Sequence, residues 1–568
     1  MKAQPAGFVV AGLVVAALAG GALLVTRHGS AGSTDSAASA PQSLVEAAKA
    51  DDTAAAVAAL KAGADVNERG PDGATAIIWA AYNGDLELVK RLIAAGADVD
   101  ARNDFGAFAL SEAAIAGTTP IIAALLAGGA KVDGTNPEGE TALMEVARTG
   151  HVEAARVLVK AGANVDANEL WGGQSSLMWA AAQSQPEMIK FLLASGADVN
   201  ARGVVREWPR KVIKEPRPKD MNQGGFTPLL YAAREGCIEC AKALVEGGAD
   251  IDLPDPHRVT PLVLAILNLH FDLATYLIDA GADVDKWDLY GRTPLYTAAD
   301  TSTLPVMGNG AMVVLPSMDK HTALDVARLL LDKGANPNIQ LKRRPPYRNV
   351  PQDRGGDAIL SQGATPLLRA ARAGDAPFVE LLLQHGALVD LPSNQGVTPL
   401  MAAAGVEYGL RVTRGRNRTE DGVLQTMQLL LDAGADINAR ELTEPKGDSA
   451  AHLLVIEQRL SDYSYDYRGR QVPSERAVPH RTALHGAAMK GFNSIVSFLV
   501  AHGADLYAQD ANGRTPLDLA MGDYNEPFLR QAAEPHQETV ALLKTLMAAN
   551  AGGAAPAAAH AGGNGGAQ

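Results

Sequence analysis

The chain has 568 residues, 47% of them apolar and 20% charged, with 57 glycines, 27 aromatic rings and a formal net charge of −14. So much apolar material excludes a disordered acidic tail and a collagen, and the acidic balance argues against a general nucleic-acid binder. The shortage of large side chains disfavours several ordinary domains and favours closely stacked helices. Two cysteines exclude a disulfide-dense scaffold and a four-cysteine zinc site.

From the amino terminus, Lys2 precedes nineteen uncharged residues, 7–25. Signal-peptide cores are shorter and membrane spans need roughly 18 residues, so residues 1–29 read as an export signal, either cleaved or retained as a membrane anchor. Residues 30–42, rich in Ser, Ala and Gly, read as a flexible linker. From Ser43 onward one phrase recurs. A Gly-Ala pair closes it at Gly63, Gly96, Gly129, Gly162, Gly196, Gly248, Gly281, Gly334, Gly386, Gly434 and Gly503, and the first three intervals are all 33 residues. Thr-Pro opens it at Thr227, Thr260, Thr293, Thr365, Thr398 and Thr515, with looser Thr-Ala forms at Thr75, Thr141 and Thr482. Thr is a good N-cap and Pro suits the first helical position. Paired alanines such as Ala80-Ala81 let one helix press on its neighbours, and the closing Gly suits a left-handed helix end. Together these predict an all-α solenoid of helix-turn-helix units, none able to bury its own faces.

The chain resembles the ankyrin-repeat family, whose T-P-L-H-x-A fingerprint and 33-residue period it repeats from about 43 to 547; residues 482–491 (TALHGAAMKG) nearly match the consensus. The resemblance implies about twelve repeats with hairpin fingers: five regular ones over 43–200, the rest over 201–547. Ser43–Asn67 and Thr515–Met547 would be the caps, followed by a disordered Ala/Gly tail at 548–568. It also implies an exported, bacterial-type interaction protein with no catalytic residue, cofactor or metal. No G-x-x-x-x-G-K-[ST], H-E-x-x-H, G-x-S-x-G or EF-hand loop interrupts that reading.

Longer intervals after the fifth repeat locate five insertions, near 201–223, 303–320, 339–362, 405–421 and 441–480. The second and fourth fall between the two helices of one repeat, and the others in fingers, so the two sets would decorate opposite rims. Three of them, 201–223, 339–362 and 405–421, carry an excess of cations; together with 441–480 they hold 21 of the 50 basic and 15 of the 64 acidic residues, leaving net −20 for the rest of the chain. Either they dock on the acidic stack or they form a basic site for an acidic protein surface or anionic lipid heads. Arg206, Arg210, Lys211 and Lys214 beside Trp208 are the densest cluster, followed by Lys342-Arg343-Arg344 and by Arg411 and Arg414.

Ankyrin domains recognise partners with finger tips and first helices. Carried over, that implies partner-binding candidates at Tyr82, Asn83, Arg148, Gln183, Arg234, Glu235, Arg372, Met489 and Lys490 on first helices. Trp171, Trp287 and Tyr290 are the candidates on fingers. Trp79, Trp179 and Tyr231 share one first-helix register, as an anchor stripe or as packing between repeats. Cys237 and Cys240 begin a second helix, where an i,i+3 pair is near enough to bridge; a local disulfide and two reduced residues, one of them in the core, are both open. The function expected is a protein-binding scaffold, exported or tethered through residues 7–25. The alternatives are a membrane-anchored cytosolic adaptor and an accessory subunit of a membrane or periplasmic redox or transport complex.

Overall fold

In a computed structural model the described residues are 43–208, 221–303, 317–342, 360, 362–406, 419–441, 463–465, 471–473, 480–524 and 533–551. They form twelve helix pairs, from Leu44–Lys49 with Thr53–Lys61 to Pro516–Ala520 with Gln537–Ala551. First helices stack on first helices and second on second. One continuous apolar cluster therefore runs from Leu44 to Leu543.

Local chemistry explains each layer. Thr227, Thr260, Thr293, Thr365 and Thr398 accept the N–H three residues on, closing the first helical turn ahead of Pro. The alanine pairs are sealed: Ala80, Ala81, Ala180, Ala181, Ala232, Ala233, Ala487 and Ala488 are all fully buried. A larger side chain there would push layers apart. All eleven Gly-Ala glycines have φ between +81° and +96°, and none has a heavy atom within 4 Å of a would-be Cβ. Backbone conformation, not space, requires glycine there. The N-terminal pair faces solvent with a helix, Thr53–Lys61, of which only Ala56 is buried, as an end cap needs.

The fingers are joined by a hydrogen-bond ladder. In each finger an Asp or Asn oxygen accepts a backbone N–H from the next: Asn67 from Asp98, Asp100 from Lys131, Asp133 from Asn164, Asp166 from Asp198 and Asn200 from Asp250. Five more rungs, beginning at Asp252, Asp285, Asn338, Asp390 and Asn438, carry it to Asp505. Burial raises the carboxyl pKa of Asp252, Asp285 and Asp390 above the ordinary value. A raised carboxyl means that folding opposes ionisation there, so the charge itself adds no stability above that pKa. Asp285→Asn, which keeps the acceptor, is therefore expected to unfold at the same urea concentration as the parent or higher. Asp285→Ala should lose about 1 kcal/mol; a loss as large in the Asn variant would refute the assignment.

The finger insertions leave and return through paired backbone: Gly203 N–H donates to Phe226 O at 3.1 Å, Leu341 to Ala364 O at 3.0 Å and Glu441 to Arg481 O at 3.1 Å. The first insertion extends its finger into a ladder, β1 (Val205–Trp208) antiparallel to β2 (Met221–Gly224). A second pair, β3 (Tyr463–Tyr465) with β4 (Gln471–Pro473), lies inside the last insertion. The sequence reading placed no strands there.

Two boundaries differ from expectation. Gln537–Ala551 runs four residues past Met547, into the stretch assigned to the tail. Pro228 to Ile238 spans ten residues from helix start to helix start, but Pro516 to Gln537 spans twenty-one. The last repeat thus has an interruption of its own. Residues 1–42 and 552–568 lie outside the described residues. Among the described residues no helix is long and apolar enough to cross a membrane.

Candidate partner-binding surfaces

The first-helix candidates sit on a line of rings and cations. Lys49 Nζ lies 5.3 Å from the Trp79 ring centre, and Tyr82, 60% exposed, meets that ring edge-on at 5.7 Å. Asn83 faces the preceding repeat, donating its amide to Ala48 O at 2.9 Å. Arg148 pairs with Glu145 at 2.5 Å and covers Trp179 at 5.6 Å. Burial pushes the carboxyl pKa of Glu145 up, and the Arg148 charge opposes that shift. Arg234 covers Tyr231 at 4.9 Å, and the Tyr231 hydroxyl accepts from the Gln174 amide. Burial raises the pKa of this phenol. The three shared-register rings are thus not an exposed stripe. Tyr231 is buried and both indoles are half-buried, each with its Nε1 enclosed and unpartnered. What faces outward is Tyr82, the cations lying over the rings, and Gln183 and Glu235 at the helix ends.

Arg372 corrects the sequence reading. It is only 2% exposed and donates to the carbonyls of Ala402 and Val406, so it is part of the packing between repeats. Met489 is buried too, and Lys490 is half-buried.

On the fingers, residues that the sequence offered separately come together. Arg206 covers Trp171 at 5.6 Å and reaches Leu170 O at 3.3 Å. Lys342 Nζ lies 3.9 Å from the Trp287 ring centre, and its N–H donates to Tyr290 O at 2.9 Å. In both pairs an indole of a plain finger carries a cation of an insertion. Side chains of Trp208, Arg210, Lys211, Lys214, Arg343, Arg344, Arg411 and Arg414 lie outside the described residues.

Sequence reasoning nominated Trp171 but missed the other apolar residues at the finger tips. Phe105 is 77% exposed, Leu170 69% and Trp171 66%, and Val204 and Val205 are also exposed. Leu170 lies close over the preceding finger, where a Cβ on Gly139 would fall 2.6 Å from its Cγ. An apolar residue just before a finger glycine, as in Phe105-Gly106 and Trp171-Gly172, was the available signal. Cys237 and Cys240 are joined by a disulfide. No cluster of three or more His, Cys, Asp or Glu able to hold a metal occurs among the described residues.

An open stack of helix pairs, tied by a finger ladder and presenting rings and cations along its fingers and first helices, defines a repeat solenoid built for recognition. Family models agree: the one for ankyrin repeats in three copies matches residues 44–136, 110–203, 248–341 and 322–410, and the single-repeat one matches 224–256, 395–442 and 480–511. The chain belongs to the ankyrin-repeat family, whose repeats generally mediate protein–protein interaction.

Among curated proteins, human transient receptor potential cation channel subfamily A member 1 is 25% identical over 353 residues, covering 61% of this chain and 25% of that protein. Ankyrin repeat and KH domain-containing protein mask-1 of Caenorhabditis elegans is 28% identical over 341 residues, 58% of this chain and 10% of that one. Human ankyrin repeat and SOCS box protein 16 is 30% identical over 236 residues, 41% and 40% of the two chains. The chain thus spans between a tenth and two fifths of the length of these relatives. The crystal structure of the human ASB11 ankyrin repeat domain aligns at 22% identity with a TM-score of 0.35, over 42% of this chain and 98% of that one.

Proposed function

We propose that this protein is a non-enzymatic interaction scaffold, exported or held at a membrane by residues 7–25, that binds a protein partner with an acidic surface through its fingers and insertions. The observation that carries the reading is the pairing of Trp171 with Arg206 and of Trp287 with Lys342. Trp, Tyr and Arg are the residues most often found at the energetic centres of interfaces. Here the indoles and their cations sit where plain fingers meet basic insertions. The uncharged N-terminal stretch supports export or tethering.

The test excises residues 209–220 and 343–359, which spares the backbone pairs at the insertion bases. A second variant combines Trp171→Ala with Trp287→Ala. Both are expected to keep the parent's thermal unfolding and to weaken capture of a crosslinked native partner about tenfold, equivalent to about 1.4 kcal/mol. Undiminished capture in both would refute the surface. Protease added to intact cells separates the locations: digestion supports export, whereas protection supports a cytosolic adaptor.

A further inference from the structure

Both cysteines of the chain stand at one helix start. Cys237 is the N-cap of Ile238–Glu246, the position held by Asp85 and Asp375 in other second helices. A residue there must accept a backbone N–H, and Cys237 Sγ accepts from Cys240 N–H at 3.2 Å. The first N–H groups of the helix direct partial positive charge at this sulfur, and a thiol so placed ionises more readily than a free cysteine. The two sulfurs are unequal in access. Cys240 is fully buried, whereas Cys237 is half-buried on the rim.

The nearby carboxylates each have a hydrogen-bonding partner of their own. Within the same helix Glu239 is held by Lys242 at 2.8 Å, and before it Glu235 by Arg234 at 2.6 Å. On the preceding second helix Glu187 is paired with Lys190 at 2.7 Å. On the following one Asp272 is held by His321 at 2.6 Å, and the His270 ring packs beside Gly236 with Nε2 3.1 Å from Arg234 O.

We propose that Cys237 and Cys240 form a reversible thiol–disulfide exchange site, with Cys237 the exchanging sulfur, Cys240 the resolving one, and small thiols and their disulfides as co-substrates. In the oxidising direction the Cys237 thiolate attacks one sulfur of a small disulfide. The S–S bond of that molecule breaks, one thiolate leaves, and a mixed disulfide forms on Cys237. Cys240 then loses its proton to water and attacks the Cys237 sulfur, closing the protein disulfide and releasing the second small thiolate. The protein dithiol gives up two electrons and the small disulfide accepts them; reduction reverses both steps. This site is independent of the indole–cation fingers, so it stands or falls apart from the binding surface.

The experiment equilibrates the full chain with reduced and oxidised glutathione at varied ratio, quenches with acid, and counts free thiols by mass after alkylation. Dithiol and disulfide forms are expected to interconvert with unchanged far-ultraviolet circular dichroism. Cys240→Ser treated with oxidised glutathione should gain one adduct, at Cys237, at least tenfold faster than Cys237→Ser gains one at Cys240. Opening of the parent disulfide only in denaturant that melts the repeats would overturn the proposal, and so would equal adduct rates in the two variants. The parent measurement needs no substitution, so it decides even if Cys240→Ser misfolds.

Discussion

Arg369→Leu is expected to destabilise the stack by about 3–5 kcal/mol, the usual cost of breaking a buried ion pair from one side. Arg369 is 0% exposed and Asp300 6%. They belong to the first helices Pro294–Ser302 and Pro366–Ala373 of adjacent repeats, with Arg369 Nε donating to Asp300 Oδ1 at 2.7 Å and Nη2 to its carbonyl at 3.3 Å. Leucine removes a guanidinium from beside a carboxylate that water hardly reaches. The double variant Arg369→Leu/Asp300→Leu should regain most of the loss, because an apolar pair of similar volume needs no desolvation of charge. Urea unfolding of the four proteins of the cycle measures this, with hydrogen exchange locating the weakened seam. A single variant within 1 kcal/mol of the parent would refute it.

His485 sets the second large effect, a loss of about 3 kcal/mol between pH 7 and pH 4. The ring is completely buried, its Nδ1 accepts the Thr482 N–H at 3.1 Å, and its Nε2 lies 3.1 Å from Arg514 O. A carbonyl can only accept, so Nε2 carries the proton and the ring is neutral. Burial foremost pushes its pKa down to about 4 from the ordinary 6.5. The unfolded chain therefore takes up a proton first as pH falls. The contribution is whole above pH 6.5 and drains away towards pH 4. Burial raises the carboxyl pKa of Glu112 and Glu145, and those groups act in the opposite direction. The readout is therefore a difference: His485→Gln should show a shallower decline in unfolding free energy from pH 7 to pH 4 than the parent. Equal slopes would remove His485 from the account.

The repeat was legible because its signals are local. Thr at the cap, Pro after it, paired Ala and a left-handed Gly each act within a few residues, so twelve helix pairs and the bases of five insertions could be placed by counting. What escaped counting depends on neighbours in space. The interruption at 521–536 has no closing Gly-Ala to measure it against. Arg372 matched an exposed consensus position but is enclosed by backbone 30 and 34 residues away. Asp300 and Arg369 are 69 residues apart in the chain, and neither is informative alone. Likewise Trp171 and Arg206 were both nominated, yet their meeting depends on one finger lying over the next.

The finger ladder has a consequence for how this protein can change. Each rung grips main chain, so it does not depend on the side chain that the next finger offers. It crosses a 31-residue separation from Asn67 to Asp98 and a 67-residue one from Asn438 to Asp505 with the same 2.8 Å bond. The fingers therefore work as sockets: a segment plugged in above a rung can be lengthened, recharged or exchanged while the layers beneath keep their spacing. What the surface reads and how the stack stands are written in separate parts of the chain, and each is free to drift without dragging the other.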